Sequence, residues 1–157
     1  MTDLESEIEA IMGEVCEEAA QRVASIATEY FVDRFEEKEW DGVKWEPAKN
    51  PPNRGSLMLR RSWLRNSIGA VEVTPQRVII KAGDDMKITY ARAHNEGFEG
   101  DVNVRPFIRE VKGKRQEVRG HIRRMRIPKR QFMGVTKELE ERITSDIEEL
   151  IDGKFSR

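Results

Sequence analysis

The stretch SIGAVEVTPQRVIIKA, residues 67–82, decides the fold. Residues 67–73 and 77–82 read as two strands, because β-branched side chains gather on both sides of the turn signal Thr74-Pro75-Gln76. Val78-Ile79-Ile80 is an unbroken apolar run of the kind that suits a well-buried strand. What flanks this pair then sets the class.

Toward the N-terminus, a short helix is predicted over about 57–66. Before it, Trp40-Asp41-Gly42 and Asn50-Pro51-Pro52-Asn53-Arg54-Gly55 carry turn and extended-chain signals, since proline fixes φ and glycine permits positive φ. Residues 2–37 read as one long helix. Thr2 followed by Glu5 fits a capping box. Leu4, Ile8, Ile11, Val15, Ala19, Val23, Ile26, Tyr30 and Phe35 form one apolar stripe at helical spacing. Such a stripe faces a core or a partner, and the core is the default. Gly13 is its weak point.

Toward the C-terminus, Gly83-Asp84-Asp85 is a turn and residues 88–95 are strand or short helix. Residues 98–127 lean to β, yet neither parity is cleanly apolar. Arg119, His121, Arg123, Met125 and Ile127 share one side; Val118, Ile122, Arg124 and Arg126 share the other. This is the pattern of a solvated or partner-bound ribbon. Pro128 closes it. A last helix, about 136–152, is capped by Thr136, carries Leu139, Ile143, Ile147, Leu150 and Ile151, and is expected to stop at Gly153. The class is α+β: a long N-terminal helix, a small, twisted, mostly antiparallel sheet with an extended basic arm, and a C-terminal helix. No internal repeat or low-complexity segment is present.

With 157 residues the chain is read as one domain, 1–157, in which 98–127 is a basic insertion or arm. Hydrophobic residues make up 38% and charged residues 36%, the latter well above the usual ~25%. A net charge of −1 and eleven aromatic residues argue against disorder. No apolar run approaches the ~18 residues of a membrane span, and the acidic start MTDLESEIEA is unlike an export signal. Cys16 is the single cysteine, which excludes an internal disulfide and a cysteine zinc cluster. A soluble, intracellular protein is expected.

The near-zero total conceals segregation. Residues 1–50 hold 14 acidic and 5 basic side chains, whereas residues 105–130 hold 11 Lys/Arg against Glu110 and Glu117. Those segments carry net charges of −9 and +9. Asymmetry of this kind bears on partners rather than on fold.

Catalysis finds little support. His94 and His121 stand in no metal-ligand spacing, and there is no GxSxG, GxxxxGK[ST] or GxGxxG. Cys16 lies among glutamates, which oppose thiolate formation. Gly97-Phe98-Glu99-Gly100 reads as a flexible loop, and Asp84-Asp85 as solvated turn formers. His94 reads as a hydrogen-bonded structural histidine. No catalytic residue, metal site or cofactor is expected. The basic stretch is the stronger candidate: Arg105, Arg109, Arg119, Arg123, Arg124 and Arg126 suit contact with a subunit or with a DNA backbone. Only Phe107 interleaves them, so a base-stacking platform is not indicated. The acidic helix of a neighbouring copy is an obvious counterpart, and unlike surfaces that meet head to tail build rings or filaments. Plain solubility and a small nucleic-acid-binding regulator using residues 105–130 are the alternatives. Trp40 and Trp45 mark either an interface or a cover over the core.

Five blocks then fall in order. They are Phe35 through Trp40-Asp41-Gly42 to Trp45-Glu46-Pro47; Arg54-Gly55-Ser56-Leu57-Met58-Leu59; Ser62-Trp63-Leu64-Arg65-Asn66-Ser67-Ile68; Tyr90-Ala91-Arg92-Ala93-His94-Asn95-Glu96-Gly97; and Ile127-Pro128-Lys129-Arg130-Gln131-Phe132-Met133-Gly134. Together they resemble the phage virion morphogenesis family, the tail-completion or neck proteins of tailed phages and Mu-like prophages. Two departures stand out: Ser62-Trp63 replaces a threonine-glycine, and the span from Gly97 to Ile127 is long and basic. The resemblance implies a non-enzymatic assembly protein at the head–tail junction, working as a ring of six copies beside other neck and tail proteins. It implies residence in the host cytoplasm during assembly and in the virion afterwards, no membrane, and at most non-specific contact with packaged DNA. It also implies structural roles for Trp45, Leu64, Ser67, Tyr90, His94, Gly97, Pro128, Arg130, Phe132 and Gly134.

Overall fold

A computed structural model describes residues 3–50, 53–84 and 86–156 of the chain. Its spine is α1 (Asp3–Glu37). Thr2, and with it the capping box, lies outside the described residues, as do Pro51, Pro52 and Asp85. The apolar stripe meets the core only from Val15 onward, where Val15, Ala20, Ala24, Ala27, Tyr30, Phe31 and Phe35 are buried. Leu4, Ile8 and Ile11, expected on the same core face, are exposed, because residues 4–14 run on past everything else that packs on the helix.

The C-terminal helix α4 (Lys137–Phe155) lies antiparallel to α1. Its start is tied down where the Tyr30 hydroxyl meets Thr136 Oγ1 at 2.9 Å, and its end where Lys154 Nζ reaches Glu18 at 3.3 Å. Thr136 caps it as expected, accepting from the Leu139 N–H at 3.2 Å. The expected stop at Gly153 is not used. Gly153 sits exposed within the last turn, where glycine costs only about 1 kcal/mol, and the Ser156 N–H still bonds the Asp152 carbonyl at 2.9 Å.

Between the helices, four two-stranded antiparallel ladders replace a single sheet. β1 (Glu39–Trp40) and β2 (Val43–Lys44) pair around Asp41-Gly42, both at positive φ, as a tight right-twisting hairpin requires. This hairpin brings both tryptophans against the core. Trp45 is buried edge-on to Phe35 at 5.6 Å between ring centres, and Trp40 packs against Tyr30 and Phe31. The helix expected over 57–66 shrinks to α2 (Trp63–Asn66), because Met58 at φ 65° and Ser62 at φ 54° are left-handed and no α-helix passes through them.

The deciding stretch forms β3 (Gly69–Thr74) and β4 (Arg77–Lys81), joined by Pro75-Gln76 with a bulge between Ala70 and Glu72. The pair lies against α1 on one side only, so Val78-Ile79-Ile80 is half-buried rather than well buried. The ambiguous stretch after Gly83 resolves as a helix, α3 (Ala91–Glu96). Asp84 works as a turn former, its Oδ1 accepting from the backbone N–H groups of Met86, Lys87 and Ile88. The core gathers where these elements meet the end of α1: Phe35, Trp45, Leu64, Ile68, Ala91, Phe132 and Leu139.

Candidate functional site

The basic stretch is a single long hairpin. β5 (Phe98–Val104) pairs with β8 (His121–Ile127), and β6 (Phe107–Val111) pairs with β7 (Lys114–Val118). Phe98 faces Ile127, Val104 faces His121, and Phe107 faces Val118. Each partner falls as the one before it rises, so the register carries unchanged across Arg105-Pro106 and Arg119-Gly120, where the ladder is interrupted. Proline has no N–H to give the ladder, and Gly120, across from Arg105 in this register, lies close against the ring: a Cβ there would sit 3.3 Å from Pro106 Cδ. At the tip, Lys112 (φ 51°) and Gly113 (φ 74°) are both left-handed, the two-residue hairpin turn. With each residue advancing ~3.3 Å, a leg of this length reaches roughly 40 Å.

Register sorts the arginines by face. Arg123 shares a face with His121, Met125 and Ile127, while Arg124 and Arg126 share the other with Glu99 and Asp101. The six candidates therefore lie along one element but do not form one patch. Arg124 is paired with Glu99 at 2.9 Å and Arg126 with Glu46 at 3.9 Å. Arg105, Arg109, Arg119 and Arg123 meet no carboxylate among the described residues; Arg109 bonds Gln116 at 2.9 Å instead.

The family-motif residues come together at the root of this arm. There the block ending in Gly97 enters β5 and the block beginning at Ile127 leaves β8. The Arg130 N–H donates to the His94 carbonyl at 2.7 Å, and Arg130 Nε, on a buried side chain, donates to the Glu46 carbonyl at 2.9 Å. Trp45 Nε1 donates to the Gln131 carbonyl at 2.8 Å. Phe132 is 1% exposed, its ring 5.0 Å from that of Phe35. Gly97 has φ 81° and ψ 162°, a conformation that glycine alone adopts freely, and a Cβ on it would sit 3.2 Å from the Lys129 backbone nitrogen. Gly134 lets the exit chain pass Trp40, where a Cβ would meet the indole at 3.1 Å. Pro128 is half-buried beside this exit. Leu64 is buried below, and Ser67 Oγ both donates to the Leu64 carbonyl at 2.6 Å and accepts from the Gly83 N–H at 2.8 Å.

Sequence reasoning passed over the residue that ties the root together. Asn95 Oδ1 accepts from the N–H groups of both Phe132 and Met133, at 2.9 and 3.0 Å, and its Nδ2 donates to the Met133 carbonyl at 3.3 Å. The tip turn was also legible in principle, as a Lys-Gly pair between two β-leaning runs.

His94 departs from expectation. Its Nδ1 is buried and has no hydrogen-bond partner, so the ring is held by packing, edge-on to Tyr90 at 5.8 Å, and only the backbone is bonded. Burial, then the Arg130 charge, lower its pKa. An open cleft of about 560 Å³ beside it is lined by Arg60, Arg61, Trp63, Tyr90 and Arg130, and by no carboxylate or cysteine that would pair with the imidazole. Among the described residues no group of side chains could hold a metal ion, and no helix is long and apolar enough to cross a membrane.

At the base of the long exposed hairpin, polar groups are spent on fixing one chain segment against another. The chain belongs to the phage virion morphogenesis family, whose model matches residues 6–152. It acts in phage virion assembly, and that membership points to a structural rather than a catalytic role. No curated protein and no solved structure matches the chain.

Proposed function

We propose that the protein completes the tail or joins it to the head, as one subunit of a ring in the neck of the virion. The observation that carries this reading is the use to which the family-motif residues are put. Trp45, Gly97, Arg130, Phe132 and Gly134 build the root from which a charged, exposed hairpin projects. A rigid base with a projecting arm gives a subunit two unlike faces, which is what a closed ring of identical copies needs. Six copies is the expected number. Neighbouring neck and tail proteins are its other partners, and any contact with packaged DNA is made to the backbone without reading sequence.

The test is genetic. A phage lacking this gene is expected to accumulate filled heads and separate tails under the electron microscope, and the gene supplied in trans restores joined particles. Joined, infectious particles from the deletion strain would show the reading to be wrong.

A further inference from the structure

The first eleven described side chains of α1 beyond Asp3, residues 4–14, are exposed without exception. They carry Leu4, Ile8, Ile11 and Met12 along one side, at 65, 52, 36 and 47% exposure. Spacing of three and four residues places these four on a single face, an extension of the core stripe that stays exposed among the described residues. From Asp3 to Gln21 the sequence holds seven carboxylates and no Lys or Arg. The uncovered face is thus an apolar strip with acidic margins.

The outer half of the arm has the opposite character. Phe107, Arg109 and Val111 lie on one face of β6, with Val118, Gln116 and Lys114 opposite them on β7. That face contains no carboxylate. Phe107 and Val111 are 46 and 43% exposed, large apolar groups held in the open between cations. The reverse face, with Ile108, Glu110, Arg115 and Glu117, is mixed in sign.

The root of the arm and the strip sit at opposite ends of the spine. Phe132 at the arm's root packs on Phe35, near the last turn of α1, whereas the strip is centred on Ile8. About 40 Å of helix separates them at 1.5 Å per residue. We propose that the Phe107–Val111 face of one copy docks on the Leu4–Met12 strip of a second copy of this chain. The apolar groups cover one another while Arg109 and Lys114 meet the acidic margins. Because donor and acceptor surfaces differ, each copy offers one of each, and the contact propagates until it closes into a ring. This deepens the ring reading above and rests on it.

Cross-linking of the full-length chain tests the contact. Two preparations are made on a Cys16→Ser background, one carrying Ile8→Cys and the other Val111→Cys, then mixed and oxidised. The mixture is expected to yield a disulfide-linked pair at many times the level that either preparation gives alone. Glu7→Lys with Glu14→Lys on the first should cut the yield about tenfold, since like charges then face each other, and Arg109→Glu with Lys114→Glu on the second should restore it. Oligomers seen by light scattering without the cross-link would overturn this docking and leave the ring reading standing. A chain that stays monomeric at every concentration would overturn both the docking and self-assembly of the free protein.

Discussion

Asn95 holds the Phe132 backbone. One side-chain oxygen on α3 takes the N–H groups of Phe132 and Met133, so the segment leaving the arm is fixed to the helix entering it, thirty-seven residues away in sequence. Phe132 is thereby presented to Phe35 with its own N–H already satisfied.

Replacing Asn95 with Ala leaves two partly buried N–H groups without an acceptor. Each unsatisfied donor costs about 1–3 kcal/mol, so a loss of at least about 2 kcal/mol is expected. Asn95→Asp keeps the acceptor and loses only the bond to the Met133 carbonyl, so it should cost less. Urea denaturation of the three proteins ranks them, and equal midpoints for Ala and wild type would refute the role.

Gly97→Ala adds strain from φ 81°, ψ 162° to a contact 3.2 Å from the Lys129 nitrogen. Backbone strain of this kind costs about 1–3 kcal/mol, and the contact adds to it. The thermal midpoint should fall by several degrees. By contrast, Gly13→Ala, with nothing within 4 Å and helical geometry, should raise it slightly.

His94 makes stability depend on pH. Its folded pKa lies below the ordinary value of 6.5, so beneath that value the unfolded chain binds a proton that the folded chain refuses. Its contribution is constant above about pH 7 and is lost as pH falls through 6.5 toward the lowered folded value. Denaturation midpoints at pH 7.5 and 5.5 should therefore differ less in His94→Gln than in wild type. An unchanged difference would remove His94 as the source.

Reversing Arg105, Arg109, Arg119 and Arg123 to Glu should leave the fold nearly untouched. All four are exposed and none meets a carboxylate among the described residues, and surface changes of this sort usually stay within about 0.5 kcal/mol each. The same variant should fail to restore joined particles to a phage lacking the gene. Full rescue of titre would show that these cations do not act in assembly.

The class of fold was legible because helix spacing and the 67–82 strand pair are local signals. α1, α4 with its Thr136 cap, and β3–β4 followed from them. Three things were not local. The left-handed residues Met58 and Ser62 are not glycine, so composition hid the break that shortened α2. The exposure of Leu4, Ile8 and Ile11 depends on where α4 ends in space, and periodicity cannot register that. Asn95 acts across a long sequence separation through an amide that, read alone, is merely polar. Of the site, the arm and the motif blocks were visible as stretches of sequence. Their convergence at one root, and the division of the arginines between faces, follow from a register that only pairing defines.

The unbroken register of the arm also bears on time. A two-stranded ribbon without a covering layer is marginally stable in water. Here the β5 and β8 ends join the root, whereas beyond Pro106 all of β6 and all of β7 but Val118 are exposed. Amide protons beyond that point should exchange with solvent far faster in the free chain than those near Gly97. Once another molecule covers the ribbon they should become slow. Ordering of the outer ribbon is then deferred to the moment of incorporation, when the prefolded base supplies the alignment and leaves few wrong pairings open.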